Sequence, residues 1–342
     1  MRRSTLSLAA CLALVACGSS GPRLAATGPR LDASLAAVWP TSQPPRQAVF
    51  SRDGKLAGFA DASGAIIIRN VGDWSVAERL RHPGGATSIV FTKGGSALIS
   101  TGYDGAVRFW DLRTGKETGA IEASAAPIWS LDLSPDGSRL AAAGEDAIIR
   151  VWDLKMPMKP LELRGHTRNI WEVRFSPDGQ RLASGSFDGS VRLWDANSGR
   201  ALKTLNGHTQ AVVGLDFSPE GKLLVTGADD STIRYWRASD GAPLRIIDNG
   251  THVDKVAFSP DGRWIASGGH PHGLVGEAWH QLTGRGGGGD AVRIWRTKDA
   301  ALVAGLPHPD DAPSVAFSRD GRWLVTSGED SRFRLWRLRS TR

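Results

Sequence analysis

The chain has 342 residues, 41% of them hydrophobic and 23% charged, a balance that excludes a disordered, fibrous or collagen-like polypeptide. Its 41 glycines and 18 prolines demand many turns and favour an all-β protein of short strands. A formal net charge of +7 raises nucleic acid or acidic surfaces as partners, and two cysteines are too few for a disulfide-stapled scaffold.

The first element is not part of the globule. Met1-Arg2-Arg3 is a basic start, and Leu6 to Ala16 is an apolar stretch of signal-peptide length, too short to span a bilayer as a helix. It ends in Leu14-Val15-Ala16-Cys17, which resembles the lipobox of bacterial lipoproteins. That resemblance implies a signal peptide over residues 1–16, cleavage before Cys17 and lipidation of its thiol, with small residues at 15 and 16 admitting the peptidase. Cys11 would leave with the signal, so the mature chain would hold no disulfide. Gly18 stands where inner-membrane lipoproteins often carry aspartate, which implies the outer membrane, facing the periplasm. Residues 17–34, rich in Gly, Ser, Ala and Pro, read as the lipidated cysteine and a flexible tether. Arg2-Arg3 without the rest of a twin-arginine signature leaves the export route open.

From Leu35 onward the chain repeats itself. The phrase Phe-Ser-Pro-Asp-Gly and its variants anchor at Phe50, Phe91, Leu133, Phe175, Phe217, Phe258 and Phe317, with spacings of 41, 42, 42, 42, 41 and 59 residues. Within the fourth unit, alternation predicts four strands, a to d, over Ile170–Ser176, Arg181–Ser186, Ser190–Asp195 and Leu202–Leu205, with Pro177-Asp178-Gly179 and Asp188-Gly189 as the a–b and b–c turns. Closing phrases such as Phe109-Trp110-Asp111, Val151-Trp152-Asp153 and Leu193-Trp194-Asp195 recur in register. This pattern resembles WD40 repeats, in which a period of about 42 residues builds one four-stranded blade. It implies an all-β fold, a seven-bladed propeller over residues 35–342. The last unit ends too soon after Trp336 for a fourth strand, so Ser34–Trp39 is expected to complete that blade and close the ring.

The resemblance also implies a structural tetrad of His, Ser or Thr, Asp and Trp inside each blade. The matching residues are His82, Ser100, Asp104 and Trp110 in the second unit, and His166, Ser184, Asp188 and Trp194 in the fourth. The fifth has His208, Thr226, Asp230 and Trp236, and the seventh His308, Thr326, Asp330 and Trp336. The third unit keeps only Asp146 and Trp152, and the first has lost the set, so those two blades are expected to be less rigid. A constellation that recurs in four units reads as scaffolding rather than as a hydrolytic triad. No enzyme activity, cofactor or metal is expected from it.

One arginine per blade, as at Arg108, Arg150, Arg192, Arg234, Arg293 and Arg334, spreads the positive charge around the ring and is expected to pack between blades. That distribution argues against one phosphate groove, and no nucleic acid is expected as a partner. Removing Arg2 and Arg3 with the signal lowers the formal charge from +7 to +5.

WD40 propellers commonly bind partners on the face carrying the d–a and b–c loops. The positions pointing there spell Tyr103, Trp129, Glu145, Asn169, Trp171 and Phe187 on units two to four, and Asp229, His252, Asp254, His270, Asp311 and Glu329 on units five to seven. An aromatic sector beside an acidic one is the pattern of a protein interface. The 59-residue spacing marks an insertion at about 271–289, in the same loop layer, with Trp279 as a further partner contact. His270, His272, Glu277 and His280 could gather a metal there, although their spacing matches no known motif.

Together these features predict a monomeric, membrane-anchored scaffold of the bacterial envelope that binds envelope proteins on its top face. The alternatives are a propeller enzyme or small-molecule or metal binder using the central channel and the sixth-unit loop, or a purely structural envelope part. The channel reading would need polar groups converging on the ring axis in one or two blades, and the sequence suggests none beyond the sixth-unit histidines and the acidic positions.

Overall fold

A computed structural model describes residues 28–156, 159–269 and 289–341. They form seven four-stranded antiparallel sheets, each strand paired with its neighbour in sequence except in the last sheet. The innermost strands, here called strands a, neighbour one another in order, and the last meets the first. This is the expected seven-bladed propeller.

Closure follows the expected route. β1 (Arg30–Pro40) is the outer strand of blade 7, hydrogen-bonded to β28 (Arg332–Thr341). The strand begins at Arg30, four positions before Ser34, because its register continues to Arg30↔Thr341 at one end and Pro40↔Arg332 at the other. Cys17 and the signal segment lie outside the described residues, as do His270, His272, Glu277, Trp279 and His280 of the sixth-blade insertion.

Each blade turns at its lower edge through the repeated phrase. In blade 4, Gly179 N donates to Ser176 O at 2.8 Å, Gln180 N donates to Asp178 Oδ1 at 2.9 Å, and Gly179 sits at φ +71° where a side chain would be strained. That is the physical content of the Ser-Pro-Asp-Gly phrase.

The core lies between blades rather than within them. Ile149 and Val151 of blade 3 pack with Val173, Phe175 and Trp194 of blade 4, all buried. Fully burying each such side chain contributes about 1.5–3 kcal/mol, so the ring is held by its seams. The seam beside blade 1, which has no tetrad, is filled by aromatics. Phe59 lies 5.1 Å from Phe333 and 5.2 Å from Trp39, and Trp74 lies 5.5 Å from Trp323. Such edge-to-face pairs add about 0.5–1.5 kcal/mol each beyond their area.

Candidate functional site

The tetrads form as expected in three blades. In blade 2, Trp110 Nε1 donates to Ser100 Oγ at 2.8 Å, and His82 bridges Ser100 at 2.8 Å and Asp104 at 3.0 Å. In blade 4 the distances are 2.9 Å for Trp194–Ser184, 2.7 Å for His166–Ser184 and 2.8 Å for His166–Asp188. In blade 5 they are 2.9, 2.8 and 2.9 Å for Trp236–Thr226, His208–Thr226 and His208–Asp230. Burial pushes the His82 imidazole below its ordinary pKa. Burial would raise Asp188 and Asp230, but their histidine and hydroxyl donors hold both well below the carboxylate range.

The seventh set departs from expectation. His308 bonds Thr326 at 2.8 Å, but its other nitrogen contacts the Leu306 carbonyl at 3.2 Å, not Asp330. Asp330 is held instead by Arg334, at 3.0 and 2.6 Å. Burial with little compensation lowers the His308 pKa to about 4. Blade 6 holds a further relay with asparagine in place of histidine: Asn249 Oδ1 accepts from Ser267 Oγ at 3.0 Å, and Trp295 Nε1 donates to that hydroxyl at 2.9 Å. Asparagine at the histidine position was the readable signal.

The arginines before the strand-c tryptophans brace their own blades rather than packing between blades. Arg108 reaches Asp104 at 2.9 Å, Arg150 reaches Asp146 at 2.6 Å, and Arg293 donates to Thr251 at 2.8 Å. For Arg108, Arg150 and Arg334 a four-residue offset along strand c brings the guanidinium back over its own b–c turn, whereas Arg293 reaches the loop before strand a.

The upper ends of strands a carry the candidate site. In blades 1 to 6 each strand a has a bulge four positions before its anchor, between Pro45 and Gln47, Ile128 and Ser130, or Ile170 and Glu172, for example. A bulge leaves one residue out of the ladder and re-aims its side chain. The extra residues include Arg46, Trp129, Trp171 and Asp254, and these four line a cavity of about 60 Å³ at the upper mouth of the channel.

Aromatic residues of blades 2 to 4 form one continuous array. Tyr103 meets Trp129 edge-on at 5.5 Å, Trp129 stacks on Trp171 at 5.2 Å, and Trp171 tilts against Phe187 at 5.4 Å. The Arg46 guanidinium lies 5.9 Å over Tyr103. All four rings are half-buried, as is Asn169, so each keeps part of its surface open. Of the remaining expected contacts, Glu145 and Glu329 are exposed and Asp229, His252, Asp254 and Asp311 are half-buried. Glu329 N donates to Asp311 O at 3.0 Å, placing those two side by side on blade 7.

Below the mouth, the channel contradicts the expectation that no polar groups converge on the axis. Asp132, Arg174 and Asp216, each one position before its anchor, and Glu172 and Lys255, three before, gather on blades 3 to 6. Asp132, Arg174, Asp216 and Lys255 line a cavity of about 630 Å³. Glu172 pairs with Arg174 and with Lys255, the latter at 2.5 Å. Asp132 and Asp216 accept the backbone N–H of the next blade's Phe175 and Phe258, at 2.7 and 2.8 Å. Burial raises both carboxyls, Asp216 to about 6. Burial would lower Arg174, but Glu172, Asp132 and Asp216 hold it above its usual value.

Comparison with known proteins adds the family. The profile described as "WD domain, G-beta repeat" matches residues 75–111, 115–153, 159–195, 199–237, 241–272 and 302–337. Over 93 residues the chain is 26% identical to "Target of rapamycin complex subunit wat1" of Schizosaccharomyces pombe, covering 26% of this chain and 24% of that protein. Over 48 residues it is 35% identical to "Coronin-like protein" of Saccharomyces cerevisiae, covering 14% and 7% respectively. The matches thus span about a quarter or less of these relatives.

Proposed function

The chain belongs to the WD-domain, G-beta repeat family, and from that premise we propose that it is a lipid-anchored interaction scaffold of the bacterial envelope. The observation that carries this reading is the half-open array Tyr103–Trp129–Trp171–Phe187, whose two tryptophans line the upper mouth together with Arg46 and Asp254. Large, half-open aromatic side chains give binding energy at small entropic cost, and acidic positions on blades 5 to 7 supply selectivity. The S. pombe relative is a complex subunit by name, which supports assembly with other proteins. His, Ser and Asp residues are engaged in tetrads within blades, and we assign the chain no reaction.

The lipobox supplies the anchor at Cys17 and an outer-membrane location. β1 runs upward, from Arg30 at the lower edge to Pro40 at the top, so a tether entering at Arg30 leaves the aromatic face pointing away from the membrane. Thirteen residue steps from Cys17 to Arg30 reach at most roughly 45 Å.

The test is a crosslinked pull-down from membranes with wild type and with Tyr103→Ala/Trp171→Ala/Phe187→Ala. Proteins recovered by wild type and lost with the folded variant support the scaffold reading; matching eluates reject the aromatic face. Cys17→Ser should release the chain from the membrane fraction if the anchor is as proposed. A second reading, a small ligand in the axial channel, is favoured by the charged cluster of Asp132, Arg174, Asp216 and Lys255. Thermal stabilisation by a small polar metabolite, lost in Arg174→Met, would support it.

A further inference from the structure

The face opposite the aromatic array carries three features that converge. The first is where the chain enters. Arg30 pairs with Thr341 beyond Leu338, whose N–H donates at 2.8 Å to Arg322 O in the lower a–b turn of blade 7. The described chain therefore enters the propeller at its lower edge.

The second feature is charge. In the lower turns of blades 7, 2 and 3, Arg319, Lys93, Arg113, Lys116, Lys155 and Lys159 are all exposed. The c–d and a–b turns share one edge, since Leu112 N donates to Ser96 O and Leu154 N to Ser138 O. The nearby aspartates accept from their own turns: Asp111 from Arg113 N at 2.8 Å, Asp153 from Lys155 N at 2.9 Å, and Asp136 and Asp320 from Ser138 N and Arg322 N at 3.0 Å each. Cations outnumber carboxylates across these turns even with Glu117, Asp136 and Asp320 counted, and the Lys93 turn holds no acid. The top face is mixed, with Glu145, Asp229, Asp254, Asp311 and Glu329 beside Arg81, Arg164 and Arg168.

The third feature is Met156. At 75% exposed it is the most exposed large apolar side chain among the described residues, and it stands at the tip of the blade 3 c–d turn between Lys155 and Lys159. An apolar tip flanked by lysines suits the boundary between headgroups and acyl chains.

We propose that the lower face of blades 7, 2 and 3 docks on an anionic lipid bilayer, with Lys93, Lys155 and Lys159 on the headgroups and Met156 in the interface. This deepens the membrane reading above but needs no acyl chain. Electrostatic attraction acts only within about 8 Å at physiological salt, so a tether would bring the face into range and the face would then fix orientation.

The experiment uses the full chain with Cys11→Ser and Cys17→Ser, which cannot be acylated, and vesicles of phosphatidylcholine with or without 30 mol% (roughly) phosphatidylglycerol. Binding should require the anionic lipid and fall steeply with salt. Each basic residue near such a surface is worth about fivefold, so Lys93→Glu/Lys155→Glu/Lys159→Glu should weaken binding at least ~10-fold. Arg81→Glu/Arg164→Glu/Arg168→Glu, the same charge change on the top face, should not. An environment-sensitive dye on Met156→Cys should shift to the blue on binding, and one on Gln210→Cys, at the top, should not. Equal binding to neutral vesicles, equal loss in both triple variants or equal dye shifts would overturn the proposal. Because no acyl chain is present, those results leave the lipid anchor untouched, whereas retention of the Cys17→Ser chain in cell membranes with a silent Met156 probe would count against both.

Discussion

Glu172 of blade 4 and Lys255 of blade 6 form an ion pair at 2.5 Å across the inner strand of blade 5, which carries Gly214 at the crossing. Elsewhere around the channel the same position holds a side chain that accepts an N–H from the next blade. Gln47 accepts from Ile89 at 2.6 Å, Ser88 from Leu131 at 3.3 Å, Ser130 from Val173 at 3.1 Å, and Ser314 from Ala48 at 3.3 Å. In blades 4 to 6 a charged link takes the place of that hydroxyl and amide ring.

Breaking the link from one side is expected to be costly. Glu172→Ala leaves two half-buried cations, Arg174 and Lys255, without their nearest carboxylate, a loss of up to about 3 kcal/mol. Glu172→Gln/Lys255→Met removes both charges together and should recover more than half of it. Urea unfolding of the three chains measures the difference.

Gly214→Ala should also destabilise, by about 1–3 kcal/mol. An added Cβ would stand 2.9 Å from Lys255 Cα and from Val256 N, and a backbone cannot yield as a side-chain tip can. The variant should also weaken the Glu172–Lys255 coupling in a double-mutant cycle.

Asp216 makes stability depend on pH in a direction opposite to most carboxylates. Burial raises its folded pKa to about 6, above the unfolded value near 3.8, so its favourable contribution is complete at low pH and is lost as pH rises through 6. Asp216→Asn relative to wild type should therefore gain stability as pH rises from 4 to 7, less the bond to Phe258 N–H. Chemical denaturation across that range gives the slope; a flat difference would refute the assignment.

The two kinds of tetrad can be told apart by coupling. His166 and Asp188 touch at 2.8 Å, so His166→Gln and Asp188→Asn should couple by about 1–3 kcal/mol. His308→Gln and Asp330→Asn should couple near zero, because Arg334 holds that aspartate. His308 should also stay neutral in NMR titration until pH about 4.

Much of the ring was legible in the repeat, since Phe-Ser-Pro-Asp-Gly and the strand-c Trp mark both edges of a blade and their spacing sets the number of blades. The aromatic positions were found the same way, by offset from the anchor. The bulge that makes Trp129 and Trp171 neighbours has no signature of its own, so their stacking was not readable. Asp132, Arg174 and Asp216 looked like ordinary polar members of alternating strands. Their meaning depends on seven strands sharing one axis, which no single repeat contains. Asp330 was misassigned because sequence offset cannot weigh histidine against Arg334.

The pairing of β1 with β28 carries a consequence for biogenesis. β1 is among the first described segments to leave the ribosome, and its partner is among the last. Until β28 arrives, β1 has an open edge and no sheet, and Phe59 lacks its edge-on partner Phe333, which lies on β28. A chain cut short before Arg332 would lose both the partner strand of β1 and Phe333, and so leave Phe59 uncovered on that side.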